Sequence, residues 1–456
     1  MHLPNQSMNR HGVGFCLREI FTPALCRKLN EVAPEFDAHR ERWFLKPLCL
    51  VGLFSGLSAG RTLGARFNEA CALVSKLFPK TKRPGKYLSG FQAAASSLPQ
   101  EIIAQVRAAC QDAVLAAGQH PAVAGRHLAF GVDGTKQEAP RTPQNEDYYG
   151  VVTKLPALPL RMVATCFGLG ERLLWDWAGG PGNASEADLI LEIIRRGPAG
   201  ALYVKDAGMV GYDWFRAVIE SQHHLLMRVG GNFTLWVENV GAVVGEGGRV
   251  LIWPQGRRNA IPPLALRLIT YQRAYVKRRH GKDIPRTETV YLVTDLPAEE
   301  LTQVEARHLF ALRWPGNEIG HRGWKRTLSK HKLLSERPAN AEKESEFSLL
   351  ACMFLQALVL IAQGRGARDI PSLAQALDVW GEAVQAVFAG RAASWLRERL
   401  RGCVLDHYGR QGPKVLRAAP QRKEHKPLKP PIFRELDNRI KALLATVLGR
   451  LGLLQV

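Results

Sequence analysis

The chain has 456 residues, of which 62 are Lys or Arg and 41 are Asp or Glu, so its formal net charge at pH 7 is +21. With 46% hydrophobic and 23% charged residues, the composition excludes a disordered, collagen-like or low-complexity chain. A charge this large also argues against an ordinary metabolic enzyme. We therefore expect a folded protein whose partner is a polyanion, with nucleic acid favoured over a membrane surface.

Eight cysteines are scattered along the chain without a C-x-x-C pair. This pattern argues against a zinc module or a disulfide framework and predicts reduced, mostly buried thiols. The first thirty residues hold several basic side chains and no continuous apolar run, so we expect no signal peptide. The longest apolar stretch, Phe347 to Ala362, is shorter than the roughly 20 residues that span a bilayer. These features predict a soluble intracellular protein with no membrane partner.

The positive charge is concentrated in four separate windows. Basic residues exceed acidic ones by six or seven in each of the windows 61–90, 246–288, 307–337 and 401–432. Together they hold the whole surplus, so the rest of the chain is slightly acidic. Clustered charge without compensating acids is typical of a surface that binds a nucleic-acid backbone.

Residues 1–122 are predicted to form a helical, basic DNA-binding domain. Apolar residues recur at spacings of three and four in Phe44–Leu57, Phe67–Leu77 and Ile102–Ala116. A segment rich in Pro and Lys, 78–86, separates two of these helices. No clear helix-turn-helix signature is present, so the DNA-binding prediction depends on charge.

The pattern changes to short buried strands from about residue 126. We predict strands at His127–Asp133, Arg161–Phe167, Arg172–Trp177, Ala201–Asp206 and Leu225–Val229, and helices at Leu189–Arg196 and Tyr212–Ser221. This order predicts a mixed α/β sheet. Asp133 and Asp206 close the first and fourth of these strands, and strand ends are where α/β folds place their chemistry.

The remaining chain is predicted to contain a β-rich segment and then helices. Residues 231–296 hold four further strand patterns and are the most basic part of the chain. After Pro297 the helical period returns. A linker rich in Pro and Lys, Pro420–Pro431, leads to a predicted terminal amphipathic helix, Phe433–Leu451, that could support dimerisation or pack on the core.

Isolated carboxylates at strand ends in a basic protein suggest a metal site. Phosphodiester transfer by two Mg²⁺ ions needs a few shared carboxylates, and Asp133 and Asp206 are the first two candidates. Taken alone, an Asp-Gly pair such as the one at Asp133 can equally be a turn. Other acidic residues compete for the role and are better explained as a cap, a helix surface residue and a loop residue: Asp295, Asp213 and Asp147.

The third candidate lies in a segment that starts near Pro315, which can occupy the first turn of a helix. Four polar residues follow at i, i+3, i+4 and i+7: Glu318, His321, Arg322 and Lys325. At this spacing they would share one helix face. A solvated face would show the same spacing. The nearby basic residues Arg313, Arg326 and Lys330 favour a face that contacts phosphates.

These motifs together resemble a known family. Val-Asp-Gly-Thr, Val-Lys-Asp-Ala-Gly-Met and Arg-Trp-x3-Glu-x6-Lys are similar to motifs of the DDE transposases of bacterial insertion sequences. The resemblance is to the cut-and-paste group with a Tyr-Arg-Glu-Lys signature, related to insertion-sequence family four, and covers roughly residues 126–363. It implies a ribonuclease H-like core, over 123–230 and 297–365, that is interrupted by a β-rich insertion domain over 231–296. Residues 366–456 would form a helical C-terminal region.

The resemblance also implies roles for individual residues. Asp133, Asp206 and Glu318 would be catalytic and would hold two Mg²⁺ ions, for which Mn²⁺ can substitute. Arg313 and Lys325 would contact DNA phosphates near the cleaved end. Two departures are present: Phe310 occupies the Tyr position, and Arg313 and Glu318 are five residues apart where the pattern has four, which would place Asn317 at the expected site. We choose Glu318 because Asn is a poor substitute for a charged ligand and the step of seven to Lys325 is kept.

The implied function is a DNA transposase that cleaves and joins strands by cut-and-paste transposition. Its partners would be double-stranded transposon ends and target DNA, bound by a homodimer in a synaptic complex in the bacterial cytoplasm, at the nucleoid. Trp236 and Trp253 could stack on an unpaired base, although ordinary β-core packing is the stronger interpretation. Two alternatives are a transposase-derived DNA-binding protein that no longer cuts and a ribonuclease H-like nuclease without strand transfer.

Overall fold

A computed structural model describes residues 12–34, 36, 43–79, 84–119, 123–151, 158–208, 211–241, 248–279, 282–365, 369–405 and 428–451. The helices are α1 (Gly12–Ile20), α2 (Pro23–Val32), α3 (Leu45–Leu57), α4 (Leu63–Leu77), α5 (Leu88–Ser96), α6 (Gln100–Ala116), α7 (Pro143–Tyr149), α8 (Glu186–Arg195), α9 (Tyr212–Glu220), α10 (Gln303–Arg322), α11 (Pro338–Gln363), α12 (Leu373–Phe388), α13 (Leu396–Arg401) and α14 (Asn438–Arg450). The strands are β1 (Val123–Ala124), β2 (His127–Glu138), β3 (Leu160–Gly168), β4 (Leu174–Pro181), β5 (Leu202–Lys205), β6 (His224–Arg228), β7 (Thr234–Val237), β8 (Gly248–Ile252), β9 (Leu264–Arg279), β10 (Lys282–Thr294) and β11 (Ile432–Glu435).

The described residues form two compact units. The first draws on residues within 1–122, 132–193 and 314–406, and the second on residues within 123–131, 194–313 and 407–456. Strand β2 and helix α10 each begin in the second unit and end in the first. The division into four regions that we drew from the sequence stays a prediction, and most of the predicted linker Pro420–Pro431 lies outside the described residues.

Helix α11 forms the centre of the first unit. It contacts α3, α5, α6, α12, α13 and β4. Its apolar residues surround the whole helix, which is the pattern of a helix buried on every side. At 26 residues it is longer than the apolar stretch that we read from the sequence, and it is long and apolar enough to cross a membrane. Its most apolar window is completely buried inside the unit, as in the core helix of a globular domain.

Two glycines allow α3 to approach α11 closely. A Cβ atom added at Gly52 would lie 2.4 Å from the Phe347 ring, and one added at Gly56 would lie 2.6 Å from the Ala351 Cβ. Because the two glycines are four residues apart, they share one face of α3. Packing at this distance is possible because Gly52 and Gly56 have no side chains, and it fixes the position of α3 along α11.

Strand β2 is longer than predicted, so the expectation that Asp133 closes it is wrong. The strand continues to Glu138 through a polar sequence that carries no alternating hydrophobic signal. The extension is held by the segment before α11, since the Glu138 amide donates to the His331 carbonyl at 3.1 Å and the Leu333 amide donates to the Glu138 carbonyl at 2.8 Å. Tertiary pairing therefore overrides a weak local propensity.

In the second unit the sheet is mixed. Strand β2 pairs in parallel with β5, and β5 pairs in parallel with β6. Antiparallel pairs then run from β6 to β10, β9, β8 and β7, and β11 adds in parallel to β7. The strands of the β-rich segment therefore continue the sheet from β6. The predicted terminal helix begins later than expected, at Asn438, because residues 432–435 form β11 and the Asp437 carboxylate caps the helix through the Ile440 amide.

The mixed α/β prediction is confirmed. In the first unit, β2 is followed in the sheet by β3 and then by β4, which is antiparallel to β3. With the parallel strands β5 and β6 on the other side of β2, this arrangement is consistent with a ribonuclease H-like fold.

Candidate functional site

Asp133 lies within β2, in the first unit, and its surroundings are polar. Its Oδ1 accepts the Gly134 amide at 3.0 Å, and its backbone carbonyl accepts the Thr165 hydroxyl of β3 at 3.2 Å. A Cβ added at Gly134 would lie 2.5 Å from the Glu186 Cδ, so the Glu186 carboxyl group packs directly against the Gly134 backbone. Glu186, in the first turn of α8, was not among the sequence candidates, because no local pattern indicates a contact made through tertiary packing.

Asp206 follows β5 directly, in the second unit. Its Oδ1 accepts the Ala207 amide at 2.8 Å. Its Oδ2 accepts a hydrogen bond from Arg313 Nη2 at 2.9 Å, and the side chain remains 44% exposed. The guanidinium of Arg313 is almost fully buried and also lies over the Phe310 ring. Arg313 therefore pairs with Asp206 in this structure, and the phosphate contact that the resemblance implies stays a prediction.

The register of the parallel strands β2 and β5 relates the positions of the two aspartates. Gly131 of β2 is the register partner of Val204 of β5. Asp133 and Asp206 each follow these partners by two residues. Because parallel strands run in the same direction, the chain leaves both register partners towards the same edge of the sheet.

Glu318 lies on α10 and is accessible. Its side chain is 47% exposed, and its carboxylate is 3.9 Å from Arg322 Nη2. The neighbouring alternative, Asn317, is fully buried, and neither polar atom of its side chain has a hydrogen-bond partner among the described residues. A metal ligand must be reachable by the ion and its substrate. The exposure of the two side chains therefore favours Glu318 over Asn317.

His321 is buried and does not share a solvent face with Glu318. Its Nε2 is 2.7 Å from the Thr165 hydroxyl, and its ring meets the Phe167 ring edge to face at 5.9 Å between centroids. Burial, with a smaller effect of the Lys325 charge, lowers the pKa of His321 to about 3, so the ring is neutral at physiological pH. The structure therefore places His321 in the interior of the first unit, and its contact with DNA stays a prediction.

Lys325 lies in a π-helical turn, Gly323–Thr327, directly after α10. Its ammonium group donates to the Thr135 hydroxyl at 2.5 Å and to the Lys136 carbonyl, both on β2. Burial lowers the pKa of Lys325 to about 8, while the nearby charges of Glu138 and Glu318 act in the opposite direction. Turns of this type recur at functional sites.

The other predicted DNA contacts divide into exposed and buried residues. Arg322 and Arg326 are exposed. Lys330 is buried and donates to the Ser58 carbonyl at 3.1 Å, so its contact with DNA stays a prediction. Trp236 and Trp253 are buried in a cluster with Ile440 and Val447 of α14, which makes them core residues, as the sequence had favoured, and not stacking platforms.

The chemistry of the donor set suits a divalent ion. Asp133, Asp206 and Glu318 offer the carboxylate oxygens that Mg²⁺ prefers. Among the described residues, no group of three His, Cys, Asp or Glu side chains is placed to hold a metal ion. Arginines lie beside the carboxylates of Asp206 and Glu318. These two carboxylates therefore already lie beside a positive charge.

The fold is that of a ribonuclease H-like α/β protein. The family model of the transposase DDE domain matches residues 125–354, which is half of the chain. The chain therefore belongs to the transposase DDE domain family, and membership implies that it acts on DNA. A search of curated proteins finds no match to this chain.

Proposed function

We propose that this protein is an active cut-and-paste transposase of a bacterial insertion sequence, of the Tyr-Arg-Glu-Lys group. Asp133, Asp206 and Glu318 would bind two divalent metal ions, Mg²⁺ or Mn²⁺. The observation that carries this proposal is the parallel register of Gly131 with Val204, since Asp133 and Asp206 each follow one of these partners by two residues. The exposure of Glu318 supports its choice as the third ligand.

The reaction requires two transfers at phosphorus. Water attacks the phosphodiester that joins the element to its flank, the bond from phosphorus to the 3′ oxygen breaks, and the element is left with a free 3′ hydroxyl. That hydroxyl then attacks a target phosphodiester and displaces the target's 3′ oxygen, so one phosphodiester replaces another without a further reactant. Bound divalent ions would supply Lewis-acid stabilisation of charge on the attacking and leaving oxygens.

The chain's own residues would position the DNA and compensate its charge. Arg322, which lies 3.9 Å from Glu318, and Arg326 are exposed and would bind phosphates of the cleaved end. Two acceptors on β2, the Thr135 hydroxyl and the Lys136 carbonyl, hold the Lys325 ammonium in place. These residues follow Asp133 by two and three positions in the sequence. Arg313 would leave Asp206 when a metal ion binds, and its charge would then become available to the DNA.

Several finer features belong to the same proposal. The basic insertion segment, residues 246–288, would clamp DNA, including a hairpin end if the element is excised through one. A homodimer would hold both transposon ends in a synaptic complex. The protein would act in the bacterial cytoplasm, at the nucleoid.

One observation favours a second candidate function. Arg313 donates a hydrogen bond to the Asp206 carboxylate at 2.9 Å, where a catalytic metal ion would need to bind. A transposase-derived protein that binds DNA without cutting it would keep this ion pair. Binding of element ends without any Mg²⁺-dependent cleavage would support this second candidate.

The proposal is tested by cleavage and joining of labelled element ends with purified protein and Mg²⁺ or Mn²⁺. We expect Asp133→Ala, Asp206→Ala and Glu318→Gln each to lower the cleavage rate about 100-fold or more, because each removes charge stabilisation at the reacting phosphorus. Asp213→Asn is the matched control, since Asp213 is an exposed carboxylate paired with Arg257 on the surface. Undiminished strand transfer in any of the three variants would remove that residue from the site.

A further inference from the structure

Thr165 connects two elements of the first unit that carry predicted metal ligands. It lies on β3 and is completely buried. Its hydroxyl is 3.2 Å from the backbone carbonyl of Asp133 on β2 and 2.7 Å from the Nε2 of His321 on α10. One hydroxyl therefore bridges the strand of Asp133 and the helix of Glu318.

The number of hydrogens fixes the direction of both bonds. A threonine hydroxyl has one hydrogen, and the Asp133 carbonyl can only accept, so Thr165 donates to Asp133. His321 must then donate from Nε2 to the Thr165 oxygen. The buried imidazole is therefore the tautomer that is protonated at Nε2, and the chain of donors runs from His321 through Thr165 to Asp133.

Steric packing holds the same helix turn against β3. A Cβ added at Gly320 would lie 2.4 Å from the Phe167 ring, so the helix backbone approaches β3 as closely as a glycine permits. Phe167 and Thr165 are two residues apart and point to the same face of β3. They contact Gly320 and His321 respectively, which are consecutive on α10. Glu318 lies in the same helical turn as His321.

We propose that Thr165 and His321 are a positioning pair that sets the distance between the Asp133 backbone and the Glu318 turn. Neither side chain reaches DNA or metal itself, because both are buried. This inference rests on the proposed function, since it assumes that Asp133 and Glu318 act together. Support of this kind around a metal ligand typically affects metal affinity or activity about 10- to 100-fold when it is lost.

The experiment compares Thr165→Val with Thr165→Ser. Valine has nearly the shape of threonine and lacks the hydroxyl, whereas serine keeps it. We expect Thr165→Val to slow single-turnover cleavage of element-end DNA about 10- to 100-fold and to raise the half-saturating Mg²⁺ concentration, with DNA affinity unchanged. Thr165→Ser should recover most of the rate, which a purely steric role would not predict.

A second pair of variants, at His321 on α10, keeps the test valid if Thr165→Val does not fold. His321→Gln retains a donor that can reach the Thr165 oxygen, and His321→Leu does not. We expect His321→Gln to be faster than His321→Leu. The double variant Thr165→Val, His321→Leu should be no slower than either single variant, because the two residues form one chain of bonds.

Thr294→Val is the matched control. Thr294 is also a buried strand threonine, and its hydroxyl accepts the Leu296 amide at 3.2 Å. If Thr294→Val slowed cleavage as much as Thr165→Val, or if Thr165→Ser were as slow as Thr165→Val, the positioning role would be rejected. Normal cleavage by Thr165→Val alongside inactive Glu318→Gln would overturn this inference alone. A wild-type protein that does not cleave would overturn the proposed function and this inference together.

Discussion

Arg313 shows how one inserted residue changes the roles of its neighbours. A helix turns about 100° per residue, so residues four apart are separated by about 40° around the axis and residues five apart by about 140°. Arg313 and Glu318 are five apart on the continuous helix α10. They therefore face different sides, Arg313 towards Asp206 and Glu318 towards solvent. The sequence revealed the irregular spacing but not the new partner of Arg313.

Because Arg313 neutralises Asp206, its removal should favour metal binding. We expect Arg313→Gln to lower the half-saturating Mn²⁺ concentration about 3- to 10-fold, as measured by calorimetry in the absence of DNA, since a cation no longer competes for the carboxylate. Arg322→Gln is the control and should have a smaller effect, because Arg322 is 3.9 Å from Glu318 and half exposed. Weaker Mn²⁺ binding by Arg313→Gln would contradict this assignment.

Lys330 predicts a pH dependence of stability. Burial, together with the nearby charge of Arg66, lowers the pKa of Lys330 from 10.5 to about 7, against the opposing charges of Glu344 and Glu69. Between pH 7 and 10 the unfolded chain holds a proton that the folded chain has released, so stability rises with pH. Below pH 7 Lys330 is protonated in both the folded and the unfolded chain. The free energy of unfolding is then lowered by the full cost of burying the charge.

Lys330→Met removes this titration while keeping the length of the side chain. The free energy of unfolding of the wild type relative to Lys330→Met should rise between pH 7 and 10, by at most about 1.4 kcal/mol per pH unit. Urea unfolding at a series of pH values measures the difference. A difference that stays constant over this range would show that Lys330 is not deprotonated in the folded protein.

At the scale of elements, Pro315 gives the clearest difference between expectation and structure. Its sequence context suggested the first turn of a new helix, but it lies inside α10. A proline within a helix lacks the amide that would bond to the preceding turn. Gly316 and Gly320 lie on the side facing β3, near Leu169 and Phe167. Packing against β3 therefore maintains a helix that local propensity would interrupt, and a local pattern cannot indicate that packing.

The contact of α3 with α11 predicts a large effect from a small substitution. Gly56→Ala should lower the free energy of unfolding by about 1–3 kcal/mol, because the added methyl group would collide with Ala351 and the Phe347 carbonyl. Gly381→Ala is the matched control in α12, where an added Cβ meets no atom within 4 Å. It should raise stability by about 0.5–1 kcal/mol through helix propensity. Equal effects of the two substitutions in denaturant unfolding would refute the close approach.

At the scale of the whole molecule, regular hydrophobic patterns in the sequence predict the strands most reliably. Alternating and apolar runs predicted β3, β5 and β6 to within two residues at each end. The extension of β2 and the burial of His321 and Lys330 were missed, because each depends on partners that are distant in the sequence. Burial separates the predicted cations into the buried Lys330 and Arg313 and the exposed Arg322 and Arg326, a distinction that charge counting cannot make.

The central claim is that Asp133, Asp206 and Glu318 form one metal site, and localised cleavage of the protein backbone tests it most directly. Fe²⁺ replaces Mg²⁺, ascorbate and peroxide generate hydroxyl radicals at the bound ion, and mass spectrometry maps the cuts. We expect cuts near all three residues that are suppressed by excess Mg²⁺ and lost together in Asp206→Asn. Cuts near only one of the three residues, or cuts that persist in Asp206→Asn, would contradict a shared site.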